Sequence, residues 1–355
     1  MLTFIEGLIT GGISLAVSVL ITAAIIKLPL PDIFFDSDTQ GIQKAHTDKK
    51  IPRIGGTGIF FGLALSIFFT GYFGTYNYDT VFVLLCFLAF VAGFIEDLAK
   101  KISPFYRLAF SFATVYLACV VLDTGFYHSG FQYIDDNFLT SAWVAYPLAI
   151  VMAGGVMHSI NIIDGYNGLS SGIAIIALIA IALIAIAIGD KHIALLCISL
   201  VGAILGTLAF NYPWGKIFIG DGGAYMLGFM IAIIASLLVN RNLEVSPWFP
   251  LMTIALPVWE TLFSIIRRKL LSRKAATEPD NDHLHNLVYR KIVCRLFEKQ
   301  SARFKNSAVA PFMWALSMVA VIPATVLWDN TFGLIIIAGI FIITYCTSYL
   351  VLHRI

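Results

Sequence analysis

The segment HSINIIDGYNGLSSG, residues 158–172, sets Asn161, Asp164 and Asn167 three residues apart, with Gly165, Gly168 and Gly172 among them. On a helical turn that spacing puts two amides and a carboxylate on one side, and the glycines let a ligand or another backbone come close. A plain turn does not need three such groups. Asp221 stands in a second glycine-rich run, NYPWGKIFIGDGGAYMLGF (211–229), as either a helix N-cap or a carboxylate open to a polar ligand or a metal. Glu96 and Asp97 are adjacent in FIEDLAKKISPFYRL (94–108). Neighbouring carboxylates near hydrocarbon repel one another unless a cation intervenes, a metal or a nearby lysine such as Lys100.

The complementary charges lie in two other segments. Residues 38–58, DTQGIQKAHTDKKIPRIGGTG, carry Lys44, His46, Lys49, Lys50 and Arg53 ahead of Gly55, Gly56 and Gly58. A cationic loop feeding a glycine-rich helix start suits an anion, because free backbone N–H groups there point at it. His283 and His285 in PDNDHLHNLVYR (279–290) could bind a metal or contact phosphate. Carboxylates together with lysine, arginine and histidine suit a magnesium-bound diphosphate.

The elements that must position these groups are membrane helices. The chain has 355 residues, 59% of them hydrophobic and 12% charged, where a soluble domain carries about 25% charged residues. Its continuous apolar runs are long enough to cross a bilayer as helices, and they lack the alternation of a barrel. The sequence predicts an all-α polytopic integral membrane bundle in one domain, 1–355. It has about eleven spans, near 3–27, 57–75, 79–96, 105–122, 142–160, 169–188, 192–210, 221–239, 247–267, 308–328 and 331–351. The first run carries Glu6, no basic n-region and no clear cleavage site, and reads as a retained helix. Of the 23 Lys and Arg, only Lys191 and Arg241 fall on one side of this layout. The positive-inside rule then puts the N-terminus outside and the C-terminus in the cytoplasm. The segment 123–141, with three Asp and no Lys or Arg, reads as an external connector. The five cysteines, widely spaced, read as small apolar residues.

The largest inner loop, 268–307, contains the HxH motif. It also contains LHNLVYRKIVCRLFEK (284–299), whose apolar and basic faces predict an amphipathic helix on the cytoplasmic interface. Three carboxylate sites thus lie at the inner ends of three spans, beside cationic loops, as one charged basin. A secondary transporter or lipid flippase, the alternative class, would want acids at the midplane. Glu260 is the main residue of that kind, and Arg267 or Arg268 is its expected partner.

The segments from Asp38 to Gly56, IEDLAKK, NIIDGYNGL, FIGDGG and HLHN, in this order, resemble the polyprenyl-phosphate N-acetylhexosamine-1-phosphate transferases, glycosyltransferase family 4. That superfamily includes the phospho-MurNAc-pentapeptide translocase and the enzymes that start O-antigen and teichoic acid synthesis. The resemblance implies a multi-pass protein of the bacterial inner (cytoplasmic) membrane with its site on the cytoplasmic face. It implies transfer of a sugar 1-phosphate from a UDP-N-acetylhexosamine to undecaprenyl phosphate, with release of UMP. It implies Mg2+ as cofactor, with Mn2+ as a substitute. Carried over by motif, Asp221 and Asp97 would bind the metal. Glu96, Asp97, Asp164 and Asp221 would be the catalytic acids. Lys49, Lys50, Arg53, Lys100, Asn161, Asn167, His283 and His285 would bind substrate. A homodimer is left open, and no nucleic acid is expected. Asn167 stands where many members have a second Asp, and Asn286 where sugar-primer members often have another His. The HHH run of the pentapeptide translocase is missing, which favours the branch that primes surface polysaccharides.

Overall fold

The computed structural model describes residues 2–35, 51–70, 77–99, 103–269 and 282–354. Its long elements are α1 (Leu2–Lys27), α2 (Gly56–Thr70), α3 (Asn77–Ala99) and α4 (Pro104–Leu122). After the short α5 (Gln132–Ile134) come α6 (Ala142–Ile163), α7 (Leu169–Ile188), α8 (Lys191–Asn211) and α9 (Gly220–Arg241). The chain closes with α10 (Trp248–Thr253), α11 (Ala255–Arg267), α12 (Leu284–Leu287), α13 (Cys294–Leu296), α14 (Ala302–Val326) and α15 (Thr331–Arg354). Among the described residues nine helices are long and apolar enough to cross a membrane, and α2 is a shorter apolar helix.

This is a multi-pass helical membrane protein, as the composition predicts. The ninth expected span differs from the continuous helix read from sequence. It breaks at Ile254, whose φ of −118° and ψ of 21° leave the helical region between α10 and α11. Pro257 has no N–H to give to Thr253, so the hydrogen-bond ladder cannot run through this point.

Packing places α9 at the centre, with 78% of its most apolar stretch buried, against 28% for α1 and 33% for α4 and α15. The peripheral helices turn Leu20, Phe68, Ile336 and Ile343 outward, where hydrocarbon would cover them. Between α1 and α8 the contact is made by small polar residues. Ser18 donates to the Ala203 carbonyl at 2.7 Å, and Ser18 and Thr22 both meet Thr207 Oγ1 at 3.1 Å. Without a hydrophobic drive between helices in lipid, close approach and interhelical hydrogen bonds of this kind supply the cohesion. Between α2 and α9 the approach is closer still. A Cβ on Gly56 would land on Gly223 Cα.

The segment expected to be one amphipathic surface helix is helical without a break from Leu284 to Leu296, α12 and α13 being joined by a π-helical stretch over Val288–Val293 whose bounding residues keep right-handed helical angles. Leu284, Leu287, Val288 and Val293 are buried in the main core, so this apolar face packs on protein. The five cysteines are free, as expected. At the bundle end away from the basin, the two isolated basic residues are each matched by an acid. Lys191 pairs with Glu6 at 2.8 Å and Arg241 with Asp190 at 3.3 Å.

Candidate active site

The site begins with a backbone ladder. Phe218 N–H donates to the Pro52 carbonyl, and the N–H groups of Gly55 and Gly56 donate to the carbonyls of Phe218 and Ile219, all at 2.9 Å. The two glycine N–H groups expected to face an anion are therefore used inside the fold. The ladder holds the residues before α2 against those before α9. Gly220 completes the junction with a φ of +75°, and a Cβ there would strike the Arg53 carbonyl. Only glycine adopts that conformation without strain.

Arg53 leaves this ladder pointing at two acids. One of its guanidinium nitrogens lies 3.2 Å from Asp97 Oδ1 and 3.4 Å from Asp221 Oδ2. Asp97, at the inner end of α3, is buried and accepts two backbone N–H groups of the first turn of α9, from Asp221 on Oδ1 and Gly222 on Oδ2, both at 3.1 Å. It therefore caps α9 from a different helix and satisfies donors that a helix start leaves unpaired. Asp221 is not the N-cap. It lies inside the first turn, with its side chain 25% exposed, and Oδ1 accepts from Asn161 Nδ2 at 2.9 Å.

Glu96 and Asp97 do not act as a pair. Consecutive helical residues point about 100° apart, and each finds its own arginine. Glu96 meets Arg107 of α4 at 2.5 Å, while Asp97 meets Arg53. The cation expected between the two acids is thus two guanidinium groups.

Asn161, Asp164 and Asn167 share one cavity, with Arg53, Tyr166, Asn211 and Asp221 in its walls. They do so without forming a helical turn. α6 ends at Ile163, and Asp164 is its C-cap with ψ of 53°. Asp164 Oδ1 accepts from Ser170 Oγ at 2.5 Å. Burial pushes its carboxyl up to about 7, although the Ser170 hydrogen bond works against that rise. Asn167 turns toward α14, with its backbone N–H on Asn306 Oδ1 at 2.9 Å and Nδ2 on Ser307 Oγ at 3.3 Å. Gly168, at φ +78°, gives its N–H to Asn211 Oδ1 at 2.6 Å. Asn306 and Ser307 carried no motif in the sequence, and Asn211 opens the run that carries Asp221 without being singled out there.

The HxH segment stands behind this cavity and does not line it. Tyr166 separates the two, donating its hydroxyl to Asn286 Oδ1 at 2.8 Å, with its ring edge-on to His285 at 5.7 Å. Glu260 holds the segment. Its Oε1 accepts the Leu284 N–H at 2.6 Å and faces His283 Nδ1 at 3.3 Å and His285 Nδ1 at 3.7 Å. The expected Glu260–arginine pair is not formed. Arg267 instead meets Asp282 at 3.5 Å and the Tyr349 hydroxyl at 3.0 Å. Glu260, Ser264 and Arg267 fall on one face of α11, and that face receives the loop. Lys49, Lys50 and Lys100 lie outside the described residues.

The site contains a partly open acid (Asp221), a buried acid that fixes its backbone (Asp97), an arginine between them and an amide at its side. No group of three or more His, Cys, Asp or Glu able to hold a metal occurs among the described residues. A magnesium ion does not require one. It keeps several waters and binds through one or two carboxylates plus substrate phosphates. Asp221 and Asp164, hard oxygen donors on one cavity, fit that demand. Asp97, enclosed by two N–H groups and Arg53, is less available than the sequence suggested.

A family model described as glycosyl transferase family 4 matches residues 80–239, which contain Asp97, Asp164 and Asp221. A probable undecaprenyl-phosphate N-acetylglucosaminyl 1-phosphate transferase of Bacillus subtilis (strain 168) is 31% identical over 257 residues, covering 70% of this chain and 68% of the relative. A phospho-N-acetylmuramoyl-pentapeptide-transferase of Geobacillus thermodenitrificans (strain NG80-2) is 30% identical over 244 residues, covering 63% and 74%. One from Geobacillus kaustophilus (strain HTA426) is 30% identical over 241 residues. With this identity and coverage, the chain belongs to glycosyl transferase family 4.

Proposed function

We propose that this chain transfers a sugar 1-phosphate from a UDP-N-acetylhexosamine to undecaprenyl phosphate. The products are UMP and the lipid diphosphate sugar that primes a surface polysaccharide, O-antigen among them. The observation that carries this reading is the convergence of Asp97, Asp221, Asn161 and Arg53, from three helices and a loop, at one end of the bundle. One substrate is water-borne and the other lies in the bilayer. They can meet only at an interface, and the basin's place at the helix ends suits that.

The chemistry exchanges one phosphoanhydride for another, so the protein's task is positioning and charge neutralisation. Arg53 would neutralise a diphosphate oxygen in the cavity while keeping Asp97 and Asp221 from repelling one another. Asn161 orients the Asp221 carboxylate. Asp164, held at the cavity wall by the Ser170 hydroxyl, faces the same space. Magnesium, when bound at Asp221 with help from Asp164, would supply charge to the diphosphate oxygens. The cytoplasmic face of a bacterial inner membrane is the proposed side, because the sequence puts nearly all its Lys and Arg in the loops that carry the basin motifs.

The test is UMP release by the purified full chain, supplied with undecaprenyl phosphate, magnesium and a panel of UDP-sugars. Release with a UDP-N-acetylhexosamine supports the reading, and its absence with every sugar rejects it.

A further inference from the structure

Two segments far apart in the chain line most of the cavity, residues 164–167 after α6 and residues 218–221 at the start of α9. The second is led in from Asn211 by the turn 212–217. A ligand held between the two segments meets them at the spacing the protein imposes. Where the turns touch directly there is little to keep that spacing. Gly168 N–H reaches Asn211 Oδ1 at 2.6 Å, and Gly215, at φ +55°, leaves bare backbone against the Asn167 amide.

The remaining ties come from α14, although no α14 residue is among the described residues lining the cavity. Ser307 Oγ donates to the Pro213 carbonyl at 2.6 Å and accepts from Asn167 Nδ2 at 3.3 Å, so one hydroxyl joins the two turns. Trp314, seven residues on and so on the same helical face, touches both again. Its indole N–H donates to the Gly168 carbonyl at 3.2 Å, and its ring lies 5.2 Å from that of Tyr212. Asn306 adds the bond to the Asn167 backbone. Asn306 and Ser307 are 1% and 3% exposed. A buried amide or hydroxyl is costly unless its hydrogen bonds are made. Ala310 and Met313 already pack this face of α14 into the core, so what the polar pair contributes is its hold on the turns.

We propose that Ser307 and Asn306 are positioning residues for the sugar nucleotide: acting through the two turns they tie together, and braced by Trp314, they set the relative position of the segments that line the cavity. The inference rests on the function proposed above. It gives α14 a part in holding the UDP-sugar and none in the exchange of phosphoanhydrides or in binding the lipid.

The experiment compares the purified full chain with Ser307→Ala, Asn306→Ala and Trp314→Phe. It measures calorimetric binding of the UDP-sugar that releases most UMP (UDP itself where none does), kcat, and KM for each substrate. Ser307→Ala and Asn306→Ala should weaken nucleotide binding about ten-fold and raise its KM alike. Their kcat and KM for undecaprenyl phosphate should stay within about two-fold of wild type, the pattern of lost binding rather than lost chemistry. Trp314→Phe, which keeps a ring and loses only the N–H, should weaken binding less. A lower thermal midpoint with wild-type nucleotide binding shows a purely structural role and overturns the proposal. So does a parallel loss in kcat and in both KM values, which would mean a generally disordered site. If Asn306→Ala does not fold, Ser307→Ala decides alone. If nucleotide binding depends on these residues but the wild-type chain forms no UMP, the positioning role stands and the transferase reading falls.

Discussion

Asp97 receives the backbone N–H of Asp221 at 3.1 Å on one oxygen and that of Gly222 on the other. One acid therefore sets the direction from which the next acid enters the cavity. Asn in place of Asp97 would keep a single acceptor, turn an N–H2 toward the second donor and lose the ion pair to Arg53. Asp97→Asn should lower kcat by at least about 100-fold, the scale of a misplaced reacting geometry. A steady-state UMP assay on protein with wild-type yield and size-exclusion profile checks it.

Arg53 serves two carboxylates at 3.2 and 3.4 Å. One guanidinium nitrogen reaches both acids, and a lysine ammonium, a strongly hydrated point charge on a flexible stem, is held between them less firmly than the rigid, weakly hydrated guanidinium. Arg53→Lys should lose about ten-fold in kcat/KM, and Arg53→Ala should lose more and unfold at lower temperature. Equal, undiminished activity in both variants would remove Arg53 from the site.

Asp164 and Asn167 sit three residues apart but do different things. Asp164 faces the cavity, whereas Asn167 anchors the loop to α14 through Asn306 and Ser307. The link to Asn306 uses the backbone, so Asn167→Ala removes only the 3.3 Å side-chain bond, worth about 1 kcal/mol. Turnover should stay within a few-fold of wild type, while Asp164→Ala should be nearly inactive. Parallel loss of activity in two well-folded variants would contradict this division.

The Asp164 carboxyl titrates near 7 in the folded protein, above the ordinary aspartate range, because it is buried. Folding therefore favours its protonated form. The associated stability is full below the ordinary aspartate pKa and is lost as pH rises through about 7. Thermal midpoints measured from pH 5 to 8 should fall with rising pH, and Asp164→Asn should flatten that fall. An unchanged slope in the variant would assign the pH dependence to other groups.

Much of the fold was legible in the sequence, since apolar length and the scarcity of charge dictate membrane helices. The grouping of Asp97, Asp164 and Asp221 near one end was legible too, from their places at span ends. What escaped was direction and pairing. Glu96 and Asp97 read as a couple because they are neighbours in sequence, yet helical geometry sends them to different arginines. Gly55 and Gly56 read as an anion cradle because nothing in sequence reveals the Phe218–Ile219 carbonyls that take their N–H groups. Glu260 reads from sequence as a partner of Arg267 or Arg268, because its histidine partners return from a loop more than twenty residues away. Asn306 and Ser307 offered no signal, being ordinary helix-start residues until Asn167 is brought to them.

Gly220 stands at φ +75° with the Arg53 carbonyl where a Cβ would go. Gly220→Ala should cost of order 1–3 kcal/mol of backbone strain and displace Arg53 from both acids. Reduced yield together with loss of activity in the surviving protein is the expected outcome. An alanine variant with normal turnover would show that the ladder is more pliant than drawn.

The contact of Gly56 with Gly223 has a mechanical meaning for the whole basin. No side chain separates α2 from α9 there, so neither rod has a soft cushion against which to slide. The wall that carries Arg53 and Asp221 behaves as an anvil. Any widening that admits a bulky sugar nucleotide must come from the facing wall, where the 164–168 turn rests on side-chain contacts to Asn211, Asn306 and Ser307 that can rearrange.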